Sequence, residues 1–397
     1  MRRRITWPSA WGAWVMEVGT EFIIFGSPDI RDDEIREVEA TLRSGWLGTG
    51  PRTATFEREF ATYVGSPHTV AVNSCTAALH LSLVAAGIGP GDEVITTPLT
   101  FAATVNAIIH SGAKPVLADV DPCTFNIDPA AIRERITPAT KALLPVHFAG
   151  RACDMDAITD LCASNGLMLV EDCAHAIETQ YRGQHVGTFG EFGCFSFYVT
   201  KNVVTGEGGM ITAQHPEHVD RLKMLALHGM NKDAWKRFSD EGYRHYLVAE
   251  AGFKYNMMDL QAAIGIHQLR RVEEMWERRR EIWYRYNRTF ADLPVRTPAD
   301  PAPDSRHAHH LYTLTLQDDA VARDEFLIRM TRAGIGVGVH YVSIPEHPFY
   351  QSAFGWRPED WPVATGIGRR IVSLPISSKL TEDQLQRIER AVLDNIH

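Results

Sequence analysis

From about Ile30 to Thr212 the chain alternates short apolar runs with helical or turn segments, and this alternation restricts its fold more than any other feature. Short strands separated by helices pair side by side in parallel, with the helices covering both faces of the sheet. The runs are EVITT (Glu93 to Thr97), PVLADV (Pro115 to Val120), ALLPVH (Ala142 to His147), LMLVE (Leu167 to Glu171), CFSFYV (Cys194 to Val199) and GMIT (Gly209 to Thr212). SCTAALHLSLVAA, Ser74 to Ala86, reads as a helix with a polar start, closed by Gly87 and the turn Gly89-Pro90-Gly91. The expected class is therefore α/β, with a mostly parallel sheet.

At 397 residues the chain is long enough for a large domain and a smaller one. A long charged helix is expected from Asp259 to Tyr286 as the way out of the large domain. Beyond a Pro/Asp/Ala-rich stretch come a strand (Leu311 to Leu316), a helix around Asp324 to Ala333, a second strand in GVGVHYV and an amphipathic helix after Thr381. The expected division is an N-terminal extension over residues 1–25, a large domain over 26–265 and a small α+β domain over 266–397. The extension has three arginines and a Trp-rich stretch broken by Pro8, with no small-residue cleavage site, so it reads as a poorly ordered leader or as residues preceding a start at Met16.

The net charge of −9 argues against a nucleic-acid partner, and no apolar run reaches the length of a membrane span. Six cysteines stand singly, without a CxxC pair, which fits a reducing cytoplasm. His307, His309 and His310 lack the helical i, i+4 register of a zinc site, so no metal is expected.

Three places carry chemistry. Lys201 follows an apolar strand and precedes Gly206-Glu207-Gly208-Gly209; an apolar wall lowers a lysine's pKa and leaves the neutral amine that forms an imine. Taken alone, it reads more readily as a lysine whose stem lies along a strand end, and the other residues must shift that balance. Asp172 closes LMLVED at the carboxyl edge, where open α/β sheets bind ligands. Alone it is equally a helix cap, and His175 on the same turn is equally a core histidine. Ser74-Cys75-Thr76, after a strand and opening a helix, offers hydroxyls and free N–H groups to an anion. Ser196 is a second donor, and Phe101 either stacks on a ring or belongs to the core. A lysine, a carboxylate for a ring nitrogen and a phosphate cradle together match pyridoxal 5'-phosphate (PLP).

These residues fall within motifs that resemble the DegT/StrS-type sugar aminotransferases, fold-type I PLP enzymes. The motifs run in order through nearly the whole chain: GWLGTGPRTATFEREFA (45–61), NSCTAALHL (73–81), GDEVITTPLTFAAT (91–104), PVHFAGRACDMDAI (145–158), VEDCAHA (170–176), FSFYVTKNVVTGEGG (195–209), GFKYNMMDLQAAIG (252–265) and SLPISSKLTEDQ (373–384). The resemblance implies that Lys201 holds PLP as an imine, Asp172 pairs with the pyridine nitrogen, His175 lies near the ring's phenolic oxygen and Phe101 stacks on the ring. It further implies that Cys75 by its backbone, with Thr76 and Ser196, holds the phosphate. Asn256 would reach the phosphate of a neighbouring subunit, making a homodimer the active unit.

The reaction implied is ping-pong transfer of an amino group from L-glutamate to a nucleotide-linked keto-sugar. His310, His340 and Tyr341 would contact the sugar as the small domain closes. Cys75 stands where the family often has Gly or Ala, and the His175 position is Gln in some members. FAG, EDCAHA and VHYVSIPEH are similar to enzymes that aminate a UDP-4-keto-pentose of the L-arabinose series, which favours a 4-keto sugar. Amination of a 3-keto sugar, a PLP-binding regulator and a PLP lyase are the alternatives.

Overall fold

A computed structural model describes residues 22–230, 246–317 and 320–397. The apolar runs become the strands β1 (His68–Val72), β2 (Glu93–Thr96), β3 (Lys114–Leu117), β4 (Thr140–Leu144) and β5 (Met168–Asp172). A two-residue hairpin, β6 (Gln180–Tyr181) and β7 (Gln184–His185), precedes β8 (Phe192–Ser196) and β9 (Gly209–Ala213). Seven of these form one sheet in the order β1-β9-β8-β5-β4-β2-β3. Every pairing is parallel except those of β9, which runs antiparallel to both β1 and β8.

Because the parallel strands share a direction, their carboxyl ends and the loops after them collect along one edge. Val70, Val72, Val94, Ala142, Leu144, Val170 and Cys194 from the strands pack with Ala78, Leu79, Leu81 and Leu83 of the helix Cys75–Ala85. That helix is apolar all round because it lies buried on the sheet.

Glu171 shows how the edge is held. Its carboxylate is fully buried and accepts N–H groups from Gly187 (2.7 Å), Phe189 (2.9 Å) and Gly190 (2.8 Å). His147 Nδ1 accepts from the Cys153 N–H, so Nε2 carries the hydrogen that faces Glu171 at 3.1 Å. The His147, Glu171 and Cys173 ligand atoms lie within 4.8 Å of one another, but these hydrogen bonds already use the histidine and the carboxylate as a clamp on the 187–190 loop. Glu171→Ala strands several buried donors, so a loss of about 3 kcal/mol or more is expected in urea unfolding.

The C-terminal part is built on the antiparallel strands β10 (Val295–Arg296), β12 (Tyr312–Leu316) and β13 (Ile371–Leu374), while β11 (Ser305–Arg306) adds to β6. The helices Arg323–Arg332 and Glu382–Asn395 cover its core of Trp283, Tyr286, Tyr312, Phe326 and Ile388.

Three details differ from the sequence expectation. The connector is two helices, Asp259–Arg270 and Val272–Thr289, because its halves serve different cores: Ile266 and Leu269 pack in the large domain, Ile282 and Trp283 in the small one. Arg271 at the break has φ −106° and ψ 6°, and its guanidinium is drawn to Glu34 and the Asp29 carbonyl. GVGVHYV is a loop with a single bridge from Gly338 to Ser373, since Gly336 pairs instead with Ile23; β13 takes the place expected for it. Residues 1–21, most of the segment read as an extension, lie outside the described residues. Ile23, near its end, is only 2% exposed and bonds to Gly334 and Gly336.

Candidate active site

A cavity of about 500 Å³ opens at the carboxyl edge of the sheet. Its wall includes Cys75, Thr76, Phe101, Asp172, His175, Ser196, Lys201, His340 and Tyr341, residues that the sequence spreads over some 270 positions. All but His340 and Tyr341 sit at or just beyond the carboxyl ends of strands of the large sheet. Ser74 follows β1 and caps the helix Cys75–Ala85 by accepting the Ala77 N–H at 3.1 Å. The Cys75 and Thr76 N–H groups, at the start of the helix, have no intrahelical acceptor and lie at the cavity. β9 passes so close that a Cβ on Gly209 would stand 2.6 Å from the Ser74 carbonyl carbon and 2.8 Å from Cys75 N. Gly209→Ala is therefore expected to displace the helix start and weaken cofactor affinity at least about tenfold, measured by equilibrium dialysis of PLP.

Asp172 ends β5 and is 4% exposed. Its Oδ2 accepts from the Thr104 hydroxyl at 2.8 Å and its Oδ1 from the Ala174 N–H at 3.1 Å. Burial pushes its pKa up, against the hydrogen bonds and the Lys201 amine. A carboxylate in this setting favours a proton or a cation beside it. Lys201 faces the same cavity, and burial lowers its pKa to about 8, with Cys75 and Asp172 opposing the shift. Burial drives the Cys75 thiol well up, so it stays neutral while its Sγ points to the Cys194 carbonyl at 3.5 Å.

The histidines are neutral for the same reason. Burial, with Lys201 nearby, takes His175 well below its ordinary value. His175 Nδ1 accepts the Ala149 N–H at 3.3 Å, so Nε2 carries the hydrogen and donates to the Tyr341 hydroxyl at 2.9 Å. That leaves the tyrosine's own proton free to donate elsewhere. His340 bonds Ser373 through Nδ1 at 2.9 Å and stacks on Phe25.

Two expected residues are not in this wall. His310 lies behind His175, ring to ring at 4.6 Å, and bonds Asn202. Asn256 donates to Thr49 at 2.7 Å and borders a separate cavity of about 320 Å³ with Trp46 and Lys223. Thr104, Tyr198, Thr200 and Glu207 join the wall without having been singled out. Thr104 could have been found, because it lies one helical turn beyond Phe101 on the helix Ala102–His110, which opens at the sheet edge.

A lysine amine and a buried carboxylate in one cavity with open helix N–H groups and hydroxyls fit PLP: an aldehyde partner, a cationic ring nitrogen and a phosphate. Fold and site thus define a fold-type I PLP enzyme. Residues 28–393 match the DegT/DnrJ/EryC1/StrS aminotransferase family, and the chain belongs to that family. It is a PLP-dependent sugar aminotransferase.

The spore coat polysaccharide biosynthesis protein SpsC of Bacillus subtilis (strain 168) is 47% identical over 376 residues, which is 94% of this chain and 97% of that protein. The putative sugar aminotransferase Spr1654 from Streptococcus pneumoniae, in its PMP-form, superposes with a TM-score of 0.87 at 33% identity, covering 93% of this chain and 98% of that one. Its PLP-form gives a TM-score of 0.85 at 33% identity, with 93% and 97% covered. No helix among the described residues is long and apolar enough to cross a membrane.

Proposed function

We propose that this aminotransferase carries an amino group from L-glutamate to a nucleotide-linked 4-keto sugar, with Lys201 and Asp172 as its catalytic residues. The single observation that carries this reading is the meeting of Lys201, Asp172 and the free helix start at Cys75–Thr76 in one cavity. When bound, PLP supplies an electron sink for the carbanion formed at a substrate carbon. Lys201 would anchor it by its amine and, as the free amine, would take the α-proton of the donor amino acid and later return a proton to the sugar carbon. Asp172 holds a proton on the ring nitrogen. The Cys75 and Thr76 N–H groups and the Thr76 and Ser196 hydroxyls hold the phosphate, and Phe101 covers the ring. His175, fixed by Ala149, keeps Tyr341 as a hydrogen-bond donor into the site.

The sugar enters under His340 and Tyr341, and His310 acts from behind His175. Carbon 4 is supported by the Phe148–Gly150, Glu171–Ala176 and Val339–His347 segments, similar to those of enzymes aminating 4-keto pentoses. A sugar product is supported by SpsC, whose name places it in spore coat polysaccharide biosynthesis.

The working unit is a homodimer, in which Asn256 serves the partner's phosphate. Phe101, at 61% exposed, Trp46 at 50% and Met258 at 44% are exposed apolar side chains of the kind a second copy would cover, and Asn256 stands apart from the Lys201 cavity of its own chain. Single, unpaired cysteines support action in the cytoplasm.

The test loads the protein with PLP, traps the cofactor with borohydride and locates it by mass spectrometry, then measures 2-oxoglutarate released from L-glutamate before any sugar is added. Expected are a label on Lys201, stoichiometric 2-oxoglutarate and turnover on adding a 4-keto sugar nucleotide. A label elsewhere, or glutamate left intact, overturns the reading. A further expectation concerns pH: PLP capture by the cofactor-free protein should rise with pH about a midpoint near 8, because only the neutral Lys201 amine reacts. Stopped-flow absorbance reads this directly, and a midpoint near the ordinary lysine value contradicts it.

A further inference from the structure

Behind the cavity lies a buried polar chain that the proposed reaction does not use. Glu178, fully buried on the turn after β5, pairs with Arg279 of the helix Val272–Thr289, itself 3% exposed. The other carboxylate oxygen accepts from Asn202 Nδ2 at 2.8 Å. Asn202 is the residue after Lys201. Its Nδ2 also donates to the Ala308 carbonyl at 3.1 Å, so both amide hydrogens are spent and Oδ1 is left facing His310 Nδ1 at 2.9 Å. His310 Nδ1 must then carry its hydrogen, which fixes a neutral ring against His175.

The chemistry of this chain is costly for a purely structural part. An ion pair taken this far from water gains little over apolar side chains of the same size, and it is held in place only if its hydrogen bonds are complete. Here one arm ends on the amide beside Lys201, while Arg279 and His310 come from the C-terminal side of the molecule. Arg279, whose Nε has no partner among the described residues, borders a cavity of about 30 Å³, room for a water or two, whose wall also includes Lys201 and Asn202. Three segments distant in sequence, at Glu178, Arg279 and Ala308 to His310, thus converge on the loop that carries one amine.

We propose that Glu178, oriented by Arg279, is a positioning residue for Lys201: through Asn202 it fixes the lysine loop, and through the same amide it sets the tautomer of His310 behind His175. This rests on the reading that Lys201 carries the cofactor. Asp172, Cys75, His175 and His340 share the cavity with Lys201, and His310 acts on it electrostatically from behind His175. A loosened loop admits water to the amine and returns it toward ordinary lysine behaviour.

Borohydride trapping comes first; if the label is not on Lys201 the underlying reading fails, and that is known before any variant is made. Next, Glu178→Gln and the pair Glu178→Leu with Arg279→Met are compared with the parent, with folding followed by urea unfolding. Removing the ion pair as a unit leaves no lone charge in the core, so the double variant keeps a cooperative transition. In cofactor-free protein, the pH midpoint for acylation of Lys201, read by peptide mass spectrometry, is expected to move up by about one unit in both variants. The absorbance titration of the loaded protein moves in the same sense, and kcat falls about tenfold while KM for glutamate changes less.

Arg279→Lys, which keeps a cation on Glu178, restores most of the parental midpoint. Asn202→Ser shortens the link without touching the ion pair and is read in the same way, so a core variant that does not fold still leaves a decisive measurement. A parental midpoint in folded double variant or in Asn202→Ser overturns the proposal. So does a double variant that recovers both stability and kcat.

Discussion

Lys201→Ala is expected to lower kcat by about a thousandfold or more while leaving the fold intact, the largest effect of any single substitution in the site. The amine has two tasks that no neighbour can take over. In the proposed reaction it anchors the cofactor and moves the proton on and off the substrate carbon. The other basic groups at the cavity are histidines whose rings burial keeps neutral, and His175 already spends both nitrogens on Ala149 and Tyr341.

Lys201→Arg separates the tasks from mere charge, because guanidinium stays protonated and forms no imine at working pH; it should be as inactive as the alanine variant. Urea unfolding of the cofactor-free proteins checks the fold. With no ammonium to desolvate, Lys201→Ala should be no less stable than the parent below pH 8, where the parental lysine is charged in the unfolded chain and disfavoured as such in the folded one. The sign follows from the depressed pKa: the unfolded parent binds the extra proton between about 8 and 10.5, so parental stability rises with pH across that window and the variant's does not. Retention of substantial turnover in Lys201→Ala would remove the catalytic assignment.

What made this site readable in the sequence was the fixed place of strand ends. Asp172 closes an apolar run, Ser74 opens an apolar helix after another, and Lys201 follows a third, so the rule that open α/β sheets bind at their carboxyl edge gathers all three without knowledge of the packing. Residues whose role depends on a partner far along the chain were not readable in this way. Nothing near Glu178 announces Arg279, 101 positions on, nor does His310 announce Asn202.

Local pattern also misled where tertiary contacts decide. GVGVHYV has the alternation of a strand, yet Gly336 is held against Ile23 and the segment turns His340 and Tyr341 to the cavity instead of into a sheet. The charged stretch after Asp259 has one unbroken helical period, and only the demands of two separate cores bend it at Arg271. Fold class follows from period and punctuation; the supports behind the catalytic groups follow from packing.

Asp172→Asn should retain PLP and the fold yet lose about a hundredfold to a thousandfold in kcat, since the protonated ring nitrogen loses the charge that stabilises it. The amide oxygen still accepts the Ala174 N–H, while the amide nitrogen stands in for Oδ2 and donates to the Thr104 hydroxyl, whose own proton turns to Thr100, so the geometry at the end of β5 is kept and the loss reports the charge. pH gives an independent check. Burial raises the carboxyl's pKa in the folded, cofactor-free protein above its unfolded value, so the folded state holds the proton more tightly. Its contribution to stability is therefore present at low pH and declines as pH rises through the folded value. In the proposed arrangement a cationic ring nitrogen would offset that decline by pairing with the carboxylate. The gap in melting temperature between loaded and cofactor-free protein should accordingly change with rising pH by a wider margin in the parent than in Asp172→Asn, where the Lys201 amine alone sets the pH dependence. Equal slopes in the two proteins would mean that this carboxylate does not meet the ring.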